Sequence, residues 1–391
     1  MAYTLEEGRR LVVEAGLKLV ASGLIARTWG NVSARVSDTE FVITPSGIPY
    51  EALTPEDLVV VTIRDCSYDE TQGKPSSEKG VHAAAYELHP EVDFVIHTHQ
   101  VAASVLSILG SDIPVPEAQR PLLGPVVPNA AYGMPSTEKL RKGVYAAISE
   151  NPKSTALLMR HHGTVCMGKT YEESFEIASA LEELAVSLLG DYAASFAASA
   201  VAPEDRAIAL QDLGTSVRTG TGFELTMKDG SKFDCNLSGV ARDGIAPRVS
   251  RIHSEIYQRS NVQYIKQDDS DNVVLLSCAG KPEIPYLDDF TQIAGINIKN
   301  IPWEESGYRT QAVEIAKALS GRNAVLVKGM GALCTGNTES DTDAVELVLE
   351  KEAAASLYAA SHPDAKTLSK LDCVLQRTVY VLKYSKLASR K

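Results

Sequence analysis

At 391 residues the chain is longer than one compact core usually uses, so two domains are expected. With 44% hydrophobic and 23% charged residues and no low-complexity tract, it has the make-up of an ordinary globular protein with apolar material for two cores. A formal net charge of -12 argues against nucleic acid or an anionic membrane as partner, although local backbone donors can still seat a phosphorylated small molecule. Glu6, Glu7, Arg9 and Arg10 stand where a signal peptide would have its apolar core, and no stretch approaches the roughly 18 apolar residues of a membrane span. Cys66, Cys166, Cys235, Cys278, Cys334 and Cys373 form no CxxC pair and no disulfide framework, which reads as a reducing cytoplasm.

Leu11, Val12, Ala15, Leu19 and Val20 recur at helical spacing, predicting an amphipathic helix that stops at Ser22-Gly23. The turn-rich Thr28-Trp29-Gly30-Asn31 leads into alternating short strands at Val32–Arg35 and Phe41–Thr44, closed by a Thr44-Pro45-Ser46-Gly47 turn. Leu58–Ile63 is an apolar run of strand length. Ser76 or Ser77 is placed to cap a helix that carries Glu78 in its first turn and runs through Tyr86. Val92–Thr98 reads as a buried strand and Val101–Leu109 as a helix. Pro and Gly from Ile113 to Pro135 predict loops with one short strand. Leu157–Met159 is a further strand, and Tyr171–Leu189 a long amphipathic helix. Interleaved strands and helices make the class α/β.

After an Ala-rich stretch from about Ser195 to Asp212, punctuated by Pro203 and readable as a helical linker, the pattern returns. Ala156-Leu157-Leu158-Met159 aligns with Ala324-Val325-Leu326-Val327. The same offset sets Gly163 on Gly331, Cys166 on Cys334, Gly168 on Gly336 and Glu182 on Glu350. His82–Tyr86 resembles His253–Tyr257. We read a diverged tandem duplication; the alternative is two unrelated α/β domains sharing a strand-turn-helix.

Residues two apart on a strand face the same way, so His97 and His99 aim their imidazoles into one space, a spacing that suits a metal ion. A third imidazole is available at His161-His162-Gly163; His162, next to the glycine turn, is the preferred ligand. Three histidines with an open position are the pattern of a catalytic zinc site, though manganese or cobalt also suits three imidazoles. Ser76-Ser77-Glu78 is, in its plainest reading, only a capped helix start. The same hydroxyls at a helix N-terminus are also ready to hold a phosphate, and Gly30-Asn31 and Ser46-Gly47 add glycine-permitted backbone donors.

In order and spacing, Gly30-Asn31-Val32-Ser33, Thr44-Pro45-Ser46-Gly47-Ile48-Pro49-Tyr50, Ser76-Ser77-Glu78 with His82 and Tyr86, His97-Thr98-His99 and His161-His162-Gly163 resemble the class II aldolases of the fuculose-phosphate type, over about residues 5–195. The resemblance implies a three-layer αβα sandwich with a central mixed sheet, here present twice in tandem. It implies a zinc ion on His97, His99 and His162, and a phosphate on Gly30, Asn31, Ser46, Gly47, Ser76 and Ser77. Glu78 then stands as the acid/base carboxylate. The reaction implied is cleavage of a ketose 1-phosphate into dihydroxyacetone phosphate and a short aldehyde through a zinc-stabilised enediolate.

Two departures qualify it. Fuculose-phosphate aldolases carry a proton-donating tyrosine soon after the counterpart of Ile113-Pro114, reaching a neighbouring subunit. This chain has Val115-Pro116-Glu117-Ala118-Gln119-Arg120 there and no tyrosine before Tyr132, which leaves Glu117, Arg120 and Tyr132 as pocket candidates. In the second copy Gly329 and Met330 stand opposite His161 and His162, Val249 opposite Glu78, and Gln267-Asp268-Asp269 opposite His97-Thr98-His99. The expected organisation is therefore a catalytic domain over 1–200 and a diverged, silent one over 206–391, with a homodimer of such chains as the natural assembly. Related zinc-dependent epimerases, dehydratases and decarboxylases share the histidines, and the adducin head shares the fold without catalysis. Glu78, where epimerases typically carry Asp, and the intact histidines favour the aldolase.

Overall fold

The computed structural model describes residues 2–22, 24, 29–202, 211–241, 244 and 246–384. Gly23, Thr28 and Pro203, named above in a turn and a linker, lie outside these described residues. The chain forms two compact units, Met1–Gly190 and Asp191–Leu382.

In the first unit α1 (Leu5–Ala21), β1 (Asn31–Arg35), β2 (Glu40–Ile43) and β3 (Val59–Thr62) lead to α2 (Lys79–Leu88), β4 (Phe94–Thr98) and α3 (Val101–Ser107). There follow β5 (Ile113–Pro114), α4 (Arg120–Leu123), β6 (Val126–Val127), β7 (Asn129–Ala130) and α5 (Glu138–Glu150). The unit ends on β8 (Ala156–Met159), β9 (Gly163–Gly168) and α6 (Tyr171–Leu189). Seven strands make one mixed sheet in the order β3-β2-β1-β4-β9-β8-β7, antiparallel except for the β7–β8 pair. On one face α1 and α6 seal it, with Leu11, Val12 and Leu19 against Val32, Val42 and Phe175. On the other, α2 and α5 bring Val81, Leu140 and Val144 against Phe41, Val61 and Leu157. That is the expected three-layer sandwich.

β1 does not alternate between core and solvent, as the sequence suggested: all five residues are buried. Helices cover both faces, so Val32 and Ala34 pack among α1 residues while Ser33 and Arg35 turn to α2. The helix α5 was not foreseen. Its apolar residues Leu140, Val144, Ala147 and Ile148 keep helical spacing and Thr137 caps it, accepting from Leu140 N–H at 3.3 Å. The 113–135 region holds three short strands and a helical turn where one strand was expected.

The second unit repeats the plan. Its elements are α7 (Tyr192–Ala200), β10 (Thr215–Arg218), β11 (Gly222–Thr226), β12 (Lys232–Asn236), α8 (Ser250–Arg259), β13 (Tyr264–Asp268) and α9 (Asp271–Cys278). They continue with α10 (Asp288–Ile293), β14 (Asn300–Ile301), α11 (Tyr308–Ala318), β15 (Ala324–Val327), β16 (Gly331–Gly336), α12 (Glu339–Ala359) and α13 (Lys370–Val379). The sheet order, β12-β11-β10-β13-β16-β15-β14, copies the first strand for strand, with the parallel pair again at the edge. Registers agree as well: Phe94 faces Gly168 across β4–β9, and Tyr264 faces Gly336 across β13–β16.

The inner wiring is also duplicated. Ser33 Oγ lies 2.6 Å from His82 Nδ1 and 2.8 Å from Tyr86 Oη; Ser216 Oγ lies 2.7 Å from His253 Nδ1 and 2.9 Å from Tyr257 Oη. Arg35 donates to the carbonyls of Val92, Tyr86 and His89, and Arg218 to those of Val262, Tyr257 and Ser260. These groups bolt α2 to β1 and α8 to β10. No helix among the described residues is long and apolar enough to cross a membrane.

Candidate metal centre

Sheet order decides what meets at one end of the first unit. β1 begins where β4 ends, and the β8–β9 turn lies beside them. Asn31 is thus the cross-strand partner of His97, itself opposite Val165 on β9. His99 sits just beyond the end of β4, and His162 in the tight turn from β8 to β9. That turn approaches β4 closely. A Cβ added at Gly163 would come within 2.3 Å of the Thr98 carbonyl oxygen and 3.1 Å of His97 Cε1, so a side chain there would displace the histidine. His161 takes a left-handed backbone, φ 64°, which costs a non-glycine residue of order 1 kcal/mol and is matched in the second unit by Gly329 at φ 75°.

The rings of His97, His99 and His162 lie 4.6 to 5.0 Å apart, centroid to centroid, and each offers a nitrogen within 4.8 Å of the other two. The Nδ1 of His97 is 2.8 Å from the Thr164 carbonyl, which can only accept; the ring proton is therefore on Nδ1, and the Nε2 lone pair faces the cluster. That Nε2 lies 3.1 Å from His99 Nε2 and 3.1 Å from Glu78 Oε2. Acceptors so close repel unless a proton or a cation lies among them. A tetrahedral zinc about 2.0–2.1 Å from two imidazole nitrogens holds those nitrogens about 3.3 Å apart, so the cluster fits such an ion in donor type and spacing.

Glu78 differs from its expected placing. The helix α2 starts at Lys79, with Glu78 itself as the N-cap residue and without a capping side-chain bond. Ser76 Oγ accepts from Glu78 N–H at 3.2 Å. The Glu78 carboxylate is spent elsewhere: Oε1 is 3.0 Å from His162 Nε2, Oε2 is 3.1 Å from His97 Nε2, and Asn31 Nδ2 donates to Oε2 at 3.1 Å. Burial alone would raise this carboxyl, but the adjoining His162 and His97 hold it well below the usual range.

The candidate phosphate loops converge on the same helix start. Pro45 and Pro75 form an antiparallel bridge that sets Ser46-Gly47 beside Ser76-Ser77. Ser46 N–H and Ser76 N–H are committed to the Lys74 and Thr44 carbonyls, and Ser46 Oγ donates to Pro75 O at 3.0 Å. Gly30 and Gly47 take positive φ, 94° and 81°, as their turns require. Asn31 turns its amide to Glu78 and His82. Sequence reasoning missed Ser136, which adopts φ 66° ahead of α5 and donates to Ser77 Oγ at 2.7 Å. A left-handed serine carries no compositional signal, and only the fold shows what it reaches.

Of the three pocket candidates, Tyr132 stacks edge-on to His161 with centroids 5.4 Å apart. Glu117 and Arg120 are exposed, and Arg120 Nε folds back to the Val115 carbonyl at 2.9 Å.

In the second unit the same end of the sheet is closed off. Gln267, at the register of His97, donates to the Met330 and Gln211 carbonyls at 2.9 and 3.1 Å and accepts from Leu213 N–H at 2.7 Å. Met330 and Val249, at the positions of His162 and Glu78, are buried core residues. Among the described residues, the three histidines of the first unit are the one group of His, Cys, Asp and Glu placed to share a metal ion.

The chain is 36% identical over 178 residues to a 5-methylthioribulose-1-phosphate/5-deoxyribulose-1-phosphate aldolase of Escherichia coli O45:K1 (strain S88 / ExPEC), spanning 44% of this chain and 79% of that protein. It is 33% identical over 211 residues to the L-fuculose phosphate aldolase of Escherichia coli (strain K12), spanning 53% and 94%. Among solved structures, an L-fuculose 1-phosphate aldolase is 26% identical with a TM-score of 0.44, over 49% of this chain and 90% of that one. The profile of the Class II Aldolase and Adducin N-terminal domain matches residues 10–189 and again 219–359. Matched twice and over most of its length, the chain belongs to the class II aldolase and adducin family.

Proposed function

We propose that the first unit is a divalent-metal lyase that cleaves a ketose 1-phosphate to dihydroxyacetone phosphate and a short aldehyde. The observation that carries this reading is the Glu78 carboxylate, its side chain only 10% exposed and within 3.1 Å of two of the three clustered imidazoles. His97, His99 and His162 would hold the ion, with zinc preferred for an all-imidazole set. Such an ion, when bound, supplies Lewis-acid stabilisation of the negative charge that develops on the substrate oxygens. The chain's own residues do the rest. Thr164 fixes the His97 tautomer and Asn31 orients Glu78; the ionised Glu78 would take the proton from the substrate hydroxyl that becomes the aldehyde oxygen and return it to the carbon left electron-rich when the carbon–carbon bond breaks. Ser77, Gly47 and their neighbours at the start of α2 seat the phosphate.

The sugar phosphates named for the relatives support the substrate class. In this reading the second unit is catalytically silent, and the assembly is a homodimer of two-unit chains in the cytoplasm, open to sedimentation analysis. The test is release of dihydroxyacetone phosphate from a panel of ketose 1-phosphates, with chelation and zinc add-back. Chelator-sensitive release that vanishes in Glu78→Gln is expected. A protein that holds one metal ion per chain and releases nothing would overturn aldol cleavage in favour of an epimerase, dehydratase or decarboxylase.

A further inference from the structure

We propose that His82 is a positioning residue for Glu78, acting through Asn31, in a role its duplicate His253 has lost. The proposal rests on the reading of Glu78 as the acid/base group. His82 is fully buried on α2, between Ser33 on one side of its ring and Asn31 on the other. Its proton placement follows from the second unit. There His253 Nε2 lies 2.7 Å from the Leu213 carbonyl, an acceptor only, so Nε2 carries the proton and Nδ1 accepts from Ser216. His82 has the same Ser and Tyr partners at nearly the same distances, and by this correspondence we assign it the same tautomer.

That tautomer sets the direction of the whole chain of bonds. Tyr86 donates to Ser33, Ser33 to His82 Nδ1, and His82 Nε2–H to an atom of the Asn31 amide. That atom must be the oxygen, so the amide nitrogen is turned to Glu78, where it donates to Oε2. Without the His82 donor, the amide could equally present its oxygen to the carboxylate, oxygen against oxygen. Burial pushes His82 down to about 3, so the ring stays neutral and the direction of the chain does not change at working pH.

The two units separate this role from a structural one. Both keep the Ser–His–Tyr contact that ties a helix to a strand, so that contact serves the fold. Only in the first unit does the far ring nitrogen reach a side chain that touches a carboxylate. In the second, Gly214 follows the accepting Leu213 carbonyl where the first has Asn31, and Val249 takes the place of Glu78.

The experiment compares full-length His82→Leu, His82→Gln and His253→Leu. Each Leu variant loses one buried histidine from equivalent packing, and Gln retains an N–H donor at the place of Nε2. Expected is a kcat lowered about 10–100-fold in His82→Leu, with KM within a few-fold of wild type and full metal content. His82→Gln recovers part of that loss, and His253→Leu keeps wild-type kcat. Unchanged kcat in His82→Leu, or an equal loss in His253→Leu, overturns the proposal. Nitrogen-15 histidine NMR on the whole protein reads the relay without turnover. The resonance missing from His82→Leu should report a neutral ring protonated on Nε2; protonation on Nδ1 overturns the relay. A wild type with that tautomer but no lyase activity would instead refute the functional reading.

Discussion

The two units share strand order, register and the buried Ser–His–Tyr–Arg wiring, yet at one end of the sheet they share nothing chemical. In the first, His97, His99, His162 and Glu78 crowd together. In the second, Gln267, Met330 and Val249 fill the same positions with satisfied amide bonds and apolar packing. The wiring that survives in both copies is what the fold requires, and the imidazoles are what it does not. In this chain the second unit lacks these groups without a change in sheet order, because they are side chains at the ends of strands and in turns, and even His97, which is laddered to Asn31 and Val165, is replaced by Gln267 at the same register.

The largest effect is expected from exchanging the residues at the helix start. Glu78→Gln should lower kcat by about 10²–10⁴-fold with little loss of stability. The mirror change, Val249→Glu, should confer no activity and cost the second unit about 3 kcal/mol or more, because it buries a carboxylate with no imidazole to meet it. Steady-state kinetics and urea titration separate the two outcomes: Val249→Glu should keep the kcat of the intact first unit and lose stability, and a kcat raised above wild type would refute the silence of the second unit.

Next in size are the arginine bolts. Arg35→Ala strips three carbonyls of their donor beside Asp93, and Arg218→Ala strips three in the second unit. Losses of about 3 kcal/mol for Arg35, and somewhat less for the more exposed Arg218, are expected in denaturant unfolding. A loss confined to one unit would show the wiring to be less symmetric in energy than in geometry.

A difference in pH response should be of order 2 kcal/mol. Burial pushes Glu283, hydrogen-bonded to Ser356 and Glu352, up to about 7. Its folded value lies above the ordinary unfolded value of about 4.3, so the stability it confers is fully present below that and is lost as pH rises toward 7. Glu283→Gln should flatten that decline between pH 4.5 and 7.5, and an unaltered profile would exclude the buried carboxyl as its source. His82 and His253 act in the opposite sense: burial lowers them to about 3 and about 4, so the stability tied to their neutral rings is lost as pH falls below about 6.5. The smallest test is the pair Tyr86→Phe and Tyr257→Phe, each expected to cost about 1 kcal/mol for its buried bond with serine, Tyr257 also losing a long bond to the Gln263 carbonyl, read as shifts in unfolding midpoint.

Much of this was legible beforehand. The spacing of His97 and His99, the glycine after His162 and the recurrence of Ala156–Met159 at Ala324–Val327 are local patterns, and local patterns survive in a sequence. The helix from Glu138 to Glu150 went unseen because Glu138, Lys139, Arg141 and Lys142 surround its apolar stripe and a Pro- and Gly-rich segment precedes it. The bonds of Asn31 to Glu78 and His82 were hidden for a different reason. Its partners, Glu78 and His82, come from the far end of a crossover, and a Gly-Asn dipeptide looks the same whether it cradles an anion or steers a carboxylate. Glu78 was placed one residue too far into its helix because serines are the commoner caps; here the carboxylate is drawn to the imidazoles.

The hydrogen bond from His97 Nδ1 to the Thr164 carbonyl reaches beyond tautomer choice. Thr164 is the second residue of a strand laddered to β4 on one side and β8 on the other, so the His97 ring is aimed by the sheet as it forms. On the proposed reading, an ion arriving at such a scaffold would add binding energy and have little folding left to drive, unlike the ion of a zinc finger. Stripping and reloading it would then be a reversible exchange on a finished protein. The amount of working enzyme would follow the cell's metal supply from moment to moment, with no need to make the chain again.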